Sequence, residues 1–206
     1  MVNCQQKESK PAKKVEFSLA LNVLNMVNDT YRFDLEGKKA SSCLSHIVTG
    51  ELINGYTNSD MRSFLWDAST DKVNGKGLGL YQKWSLYKKR TGEIPYICYG
   101  LTFRDVQITF DDEGYIAFVE NSLEYYRYGK YRNTINVKTA LYNFMAGVQF
   151  KSKPGFIFDT FLGIGYKDSS NDDKYIGEKT YRKRQSSFAY NGWITQAGFK
   201  LGFRFY

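Results

Sequence analysis

The chain has 206 residues, of which 24% are charged, and a mean hydropathy of −0.49. That length suits one domain, and no run reaches the roughly 18 to 20 apolar residues of a membrane helix, so a helical membrane protein is excluded. The formal charge of +8 is compatible with nucleic acid, anionic lipid or simple solubility, and the positions of the basic residues must decide among them. Aromatic residues make up 17%, with 18 Gly and only 3 Pro, a balance that predicts an all-β chain of many strands.

Residues 1–14 are polar and lack the apolar stretch of a signal peptide, so they read as a periplasmic N-terminal tail of a processed protein. Alternation of period two then begins. Val15, Phe17, Leu19, Leu21 and Val23 oppose Glu16, Ser18, Ala20 and Asn22, and a tight turn is expected around Asn28 and Asp29. Tyr31, Phe33 and Leu35 oppose Arg32, Asp34 and Glu36, before a short turn over Gly37–Ser42. Residues 43–56 are mixed on both faces and complete the strand set only if they too form a strand. After a long segment near 57–74, Leu78, Leu80, Trp84 and Leu86 oppose Gly77, Gly79, Lys83 and Ser85, with Gln82 an exception on the apolar face. A short turn over Lys88–Glu93 leads to Ile97, Tyr99, Leu101 and Phe103 opposite Gly100, Thr102 and Arg104.

The segment near 106–133 reads as a long outer connection. Val106, Ile108 and Phe110 shift the alternation, Asp111-Asp112-Glu113-Gly114 is predicted to be a hairpin turn, and strands near 106–128 are expected to project beyond the membrane. Alternation resumes with Ala140, Tyr142, Phe144, Ala146, Val148 and Phe150 against Asn143, Gly147, Gln149 and Lys151, followed by a short turn to Pro154. Phe156, Phe158, Thr160, Leu162, Ile164 and Tyr166 oppose Gly155, Asp159, Gly163, Gly165 and Lys167. A long polar connection near 169–192 precedes the last strand, where Trp193, Thr195, Ala197, Phe199, Leu201, Phe203 and Phe205 oppose Gln196, Gly198, Lys200, Gly202 and Arg204.

A soluble sandwich buries its aromatic faces and rarely sets Lys, Arg, Asp and Glu opposite them in every strand, whereas a narrow membrane barrel turns the aromatics to lipid and the charges to its lumen. The pattern predicts an antiparallel up-and-down transmembrane β-barrel of about eight strands over 15–206. Long outer connections alternate with short inner turns, so both termini are expected in the periplasm of a Gram-negative bacterium.

The run Gln196-Ala197-Gly198-Phe199-Lys200-Leu201-Gly202-Phe203-Arg204-Phe205-Tyr206 resembles the C-terminal recognition signal of outer-membrane barrels, which implies delivery to the barrel-assembly machinery through the C-terminal strand. It departs from that pattern at Tyr206, one residue beyond the outward Phe205. Asn22-Val23-Leu24-Asn25, Gly77-Leu78-Gly79-Leu80 before Lys88-Lys89, Gly147-Val148-Gln149-Phe150 and the run from Phe158 to Tyr166 resemble the small outer-membrane barrels of unknown function found in Bacteroidetes. That resemblance implies fold and location and carries no catalytic residue with it.

His46 is the only histidine, so a Ser-His-acid enzyme acting on lipid would have to use it, with Ser45 and Glu51 nearby in sequence. Adjacent strand residues face opposite ways, so Ser45 and His46 cannot meet directly, and a catalytic role is not the preferred reading. The inward charges Glu16, Arg32, Asp34, Glu36, Lys83, Arg104, Asp159, Lys167, Lys200 and Arg204 could guide an ion through a small-solute channel. Eight strands leave room for little beyond side chains, which favours a paired network instead.

Tyr115, Tyr125, Tyr126, Tyr128 and Tyr131 stand among Arg127, Lys130 and Arg132, a mixture that suits a protein partner or an extended aromatic girdle. Lys174, Lys179, Arg182, Lys183 and Arg184 suit lipopolysaccharide phosphates or a solvated loop. Nucleic acid is rejected because the basic residues scatter between loops and lumen. Cys4 is a candidate for lipidation, Cys43 and Cys98 for a bond at the inner rim, and the three thiols lack metal-ligand spacing, so neither a metal nor another cofactor is expected. The expected function is a non-enzymatic structural or accessory subunit that docks with a larger outer-membrane assembly.

Overall fold

Eight antiparallel strands close into one barrel, each paired with its neighbours in sequence, and the first pairs with the last to complete the ring. The computed structural model describes residues 15–26, 30–39, 42–57, 71–87, 92–152, 155–171 and 188–205. The strands are β1 (Val15–Asn22), β2 (Thr30–Lys39), β3 (Leu44–Thr57), β4 (Asp71–Ser85), β5 (Glu93–Glu120), β6 (Leu123–Lys151), β7 (Phe156–Asn171) and β8 (Gly192–Phe205). A four-residue helix, α1 (Val23–Met26), follows β1. It takes Val23 out of the strand in which alternation places it. The mixed stretch around 43–56 is β3, held by pairing with β2 and β4 although its outer face carries His46 and Gly50.

The two walls follow from the sequence parity. Phe17, Leu19, Phe33, Leu35, Leu80, Phe103, Phe144, Leu162 and Phe203 are exposed on the outside, whereas Arg32, Asp34, Glu51, Lys83, Asp159 and Lys200 are buried inside. Such a surface is stable against hydrocarbon and not against water, and it makes the chain a transmembrane barrel with a polar lumen. Space inside is obtained by setting rings against glycine: a Cβ on Gly100 would run into the Tyr81 ring and the Leu80 carbonyl.

The β5–β6 hairpin corrects one sequence expectation and explains another. Asp111-Asp112-Glu113-Gly114 is not a turn, because β5 continues through it in register with β6, and ion pairs Arg132–Asp111 (3.0 Å) and Lys130–Glu113 (3.1 Å) bridge the two strands. The turn is Asn121-Ser122, both left-handed (φ 49° and 64°), between the paired Glu120 and Leu123. Positive φ at both central residues matches the twist of a two-residue hairpin loop.

The shift of alternation at Val106 is a change of the apolar face from outside to inside, without a break in the strand's register. Val106, Ile108 and Phe110 continue the inward row of Tyr96, Cys98 and Thr102, and all six are buried. What changes is the medium outside: Asp105, Gln107 and Asn136 face outward there, and the inside becomes apolar. The barrel thus passes from an inverted, lipid-facing wall to the ordinary inside-apolar wall of a protein in water.

Candidate functional site

The lumen is filled in layers. At the inner end Glu16 pairs with Lys151 and lies 3.8 Å from Arg204. Above it Lys83 Nζ sits 3.2 Å from both Glu36 and Asp159. Ser45 Oγ donates to Glu36 at 2.6 Å, Tyr96 Oη donates to Asp159 at 2.6 Å, and Gln149 reaches both carboxylates. In the next layer Asp34 accepts from Arg32 (3.0 Å) and Thr49 (2.7 Å) and pairs with Lys200. Glu51 accepts two bonds from Arg104, at 2.6 and 3.1 Å. Cations also lie over rings, Lys83 4.2 Å from the centroid of Tyr96 and Arg32 4.9 Å from that of Tyr81.

Beyond these layers Ile53, Val73, Val106, Ile108, Phe110, Ile135, Val137 and Ala189 pack into an apolar cap, with Phe188 against it. Lys167 is buried beneath, 5.9 Å from the Phe188 ring. The cavity beside Lys83 and Asp159 measures about 10 Å³, room for about one water. Each charge in the layers has an opposite partner, which offsets a desolvation cost of several kcal/mol per ion. The arrangement packs the lumen and cross-links its strands.

His46 lies on the exposed outer wall, whereas Ser45 and Glu51 are buried in the lumen, bound to Glu36 and Arg104. The barrel wall therefore separates His46 from both. Gln82 shares that outer row and accepts a hydrogen bond from Tyr99. The candidate Cys43–Cys98 bond is absent: Cys98 is a free, buried lumen thiol and Cys43 is in a disulfide that does not involve it. Cys4 and the basic residues Lys174, Lys179, Arg182, Lys183 and Arg184 lie outside the described residues.

The tyrosine-rich segment is the outer part of the β5–β6 hairpin. Among the described residues β4 pairs with β5 only as far as Thr109, and β7 with β6 only from Val137, so the two strands go on alone as a ribbon. From Phe110 to Glu120 it rises roughly 35 Å at a strand's usual 3.3 Å per residue. Tyr115 and Tyr128 pair edge to face at 5.4 Å with Tyr126 beside them, and Phe118 stacks on Tyr125 at 5.6 Å on the opposite face. Tyr115 is 74% exposed, Tyr126 64% and Tyr128 60%, while Tyr131 is half-buried lower down.

Alternation marks the inward charges but does not identify their hydroxyl and amide partners Ser45, Thr49, Tyr96 and Gln149. Inward parity is the one signal these carry, because the contacts cross the barrel. The apolar cap has a signal in Val106, Ile108 and Phe110, visible once their inward register is known.

No protein-family model matches the chain, and no curated protein sequence does. Among solved structures the chain is similar to a major outer membrane protein from Thermus thermophilus, at 9% identity and TM-score 0.52, over 93% of this chain and 98% of that one. It is also similar to Neisserial surface protein A (10% identity, TM-score 0.46, 92% and 94% covered). A further match is the N-terminal β-barrel domain of Pseudomonas aeruginosa OprF (15% identity, TM-score 0.43, 93% and 96% covered). At such identities the likeness to the Thermus protein speaks for fold alone, and it agrees with the walls described above: the chain is a small up-and-down transmembrane β-barrel.

Proposed function

We propose that the protein is a non-enzymatic barrel of the bacterial outer membrane, related to the Bacteroidetes barrels its sequence resembles, that docks as a structural or accessory subunit with a larger outer-membrane assembly. The observation that carries this reading is the β5–β6 ribbon. A two-stranded ribbon is marginally stable alone in water, and this one holds exposed aromatics on both faces, with, among the described residues, neither β4 nor β7 paired beside it beyond Thr109 and Val137. An apolar tip on both faces fits a partner's cleft better than a flat surface. Both termini lie in the periplasm in this reading, the C-terminal strand engages the barrel-assembly machinery, and the surroundings are outer-membrane lipid and lipopolysaccharide. A lipid-modifying enzyme at His46 has less support, since Ser45 and Glu51 lie across the wall. A channel has less support as well, since the lumen is packed.

The test is purification from the native outer membrane in mild detergent, comparing the wild type with a Tyr115→Ser, Tyr126→Ser, Tyr128→Ser variant. A partner at fixed stoichiometry with the wild type and its loss from the variant is the expected result. A lone, heat-modifiable monomer from both would overturn the docking role.

A further inference from the structure

His46 and Gln82 are polar side chains on the wall that meets hydrocarbon. They are cross-strand partners on β3 and β4, and Tyr99 of β5, the next partner of Gln82, donates to its Oε1. Both Gln82 Nε2 hydrogens remain, and among the described residues neither Nε2 nor the His46 ring has a hydrogen-bonding or ionic partner. A donor left open in a bilayer costs several kcal/mol, so these groups call for an acceptor from a ligand.

From this pair a groove of about 780 Å³ runs across β4 to β7 and ends at Trp193 of β8. One bank is the row Gln82, Tyr99, Phe144 and Ile164. The other is the next outward row, Leu80, Leu101, Tyr142 and Tyr166, and the backbone at Gly100 and Gly165 is the floor. His46 stands two residues from the inner end of β3 and Trp193 one residue from the outer end of β8, so the groove climbs the wall. Five strand spacings of about 4.8 Å make it roughly 24 Å long. At a strand tilt of about 40° it rises roughly 15 Å, about the depth of one leaflet.

Trp84, 54% exposed, is the next outward residue toward the inner rim on β4, and tryptophan rings sit at headgroup level. Gln82 is two residues further into the membrane, roughly 7 Å along the strand, where glycerol esters lie beneath the headgroups. A glycerophospholipid carries two ester carbonyls side by side, acceptors that match the open amide donors and the imidazole N–H. Cross-strand side chains start about 5 Å apart, so the pair can meet both carbonyls. With the inner rim in the periplasm, this end lies in the phospholipid leaflet, opposite lipopolysaccharide. We infer that the groove holds one glycerophospholipid by its ester carbonyls, at His46 and Gln82, with an acyl chain laid between the two banks. The inference rests on the transmembrane fold, and its choice of leaflet on the periplasmic placement of the termini; the ribbon's docking role does not enter.

The experiment inserts the barrel into nanodiscs with equal parts of diester phosphatidylcholine and its diether analogue, which keeps headgroup and chains but lacks the carbonyls. Native mass spectrometry reads the retained lipid. The diester is expected to be retained about tenfold over the diether, about 1.4 kcal/mol, the worth of one to two hydrogen bonds. His46→Leu with Gln82→Leu should abolish the preference and leave heat-modifiable migration unchanged, since leucine suits a lipid-facing wall. Leu101→Trp narrows the groove without touching the donors and should lower retention of both lipids. Equal retention by the wild type, a preference surviving the double leucine variant, or retention unchanged by Leu101→Trp would each overturn the site. In a second mixture diphosphoryl lipid A competes with the diester, and lipid A retained in preference through the same two side chains would overturn the glycerophospholipid as occupant. The nanodisc is symmetric, so a reversed orientation in the cell leaves these readings unchanged. Protease access to the ribbon in whole cells reads orientation separately, and an inaccessible ribbon would overturn the leaflet alone.

Discussion

At the scale of single residues, the lumen network is where stability is most exposed to change. Lys83 is 2% exposed and is the shared cation of Glu36 and Asp159. Lys83→Ala leaves two carboxylates facing each other without it, and breaking a buried pair costs about 3 to 5 kcal/mol. Urea unfolding of the detergent- or vesicle-inserted barrel should show that loss, and an effect under about 1 kcal/mol would mean that water screens the layer. Glycine gives a contrast between the two walls. Gly100 lies against the Tyr81 ring, so Gly100→Ala overpacks the lumen and should cost about 1 to 3 kcal/mol. Gly50 has nothing within 4 Å of an added Cβ, so Gly50→Ala should stay within about 0.5 kcal/mol in the same assay. The side of the wall was legible for Lys83, Asp159 and Lys200 because a charge opposite an aromatic in a strand has one place to go. Which charge meets which was not legible, since Lys83 and Asp159 are 76 residues apart and meet only when the ring closes.

At the scale of elements, the ribbon and the barrel divide one continuous hairpin. Reading strands into 106–133 requires placing a turn, and the wrong turn is the natural choice: Asp-Asp-Glu-Gly has turn composition, while Asn-Ser lacks the glycine that usually marks a two-residue loop. Cross-strand ion pairs and tyrosine pairs decide the register instead, and those are visible only after the partner strand is known. Because, among the described residues, β4 pairs with the hairpin only as far as Thr109 and β7 only from Val137, excising 111–132 and joining Phe110 to Asn133 through Asn-Gly should change barrel stability by less than about 1 kcal/mol. The same variant should lose any co-purifying partner. Among the described residues of the free wild type, trypsin should cut first at Arg127, Lys130 and Arg132, which limited proteolysis with mass mapping would detect, and bound partner should protect those sites. Cleavage that begins in the barrel strands would contradict this division.

At the scale of the whole molecule, the barrel has two different seals in series. The charged layers around Lys83, Asp34 and Glu51 fill the lipid-embedded part, and the cap of Val106, Ile108, Phe110 and Val137 closes the part that stands in water. The first seal is electrostatic and sterically dense, with a cavity of only about 10 Å³, whereas the second excludes water by being apolar. A wild-type barrel in a planar bilayer should therefore show no stepwise conductance. Opening one seal is insufficient: Ile108→Ser with Phe110→Ser wets the cap, but an ion descending through it still meets Arg104 held by both oxygens of Glu51. That variant should remain silent, and so should Lys83→Ala alone. Only a barrel relieved of the cap and of a charged layer together should give steps. Steps from the wild type would show that the layers rearrange as a gate rather than hold as a core, and the lumen would then have to be read as a transport path.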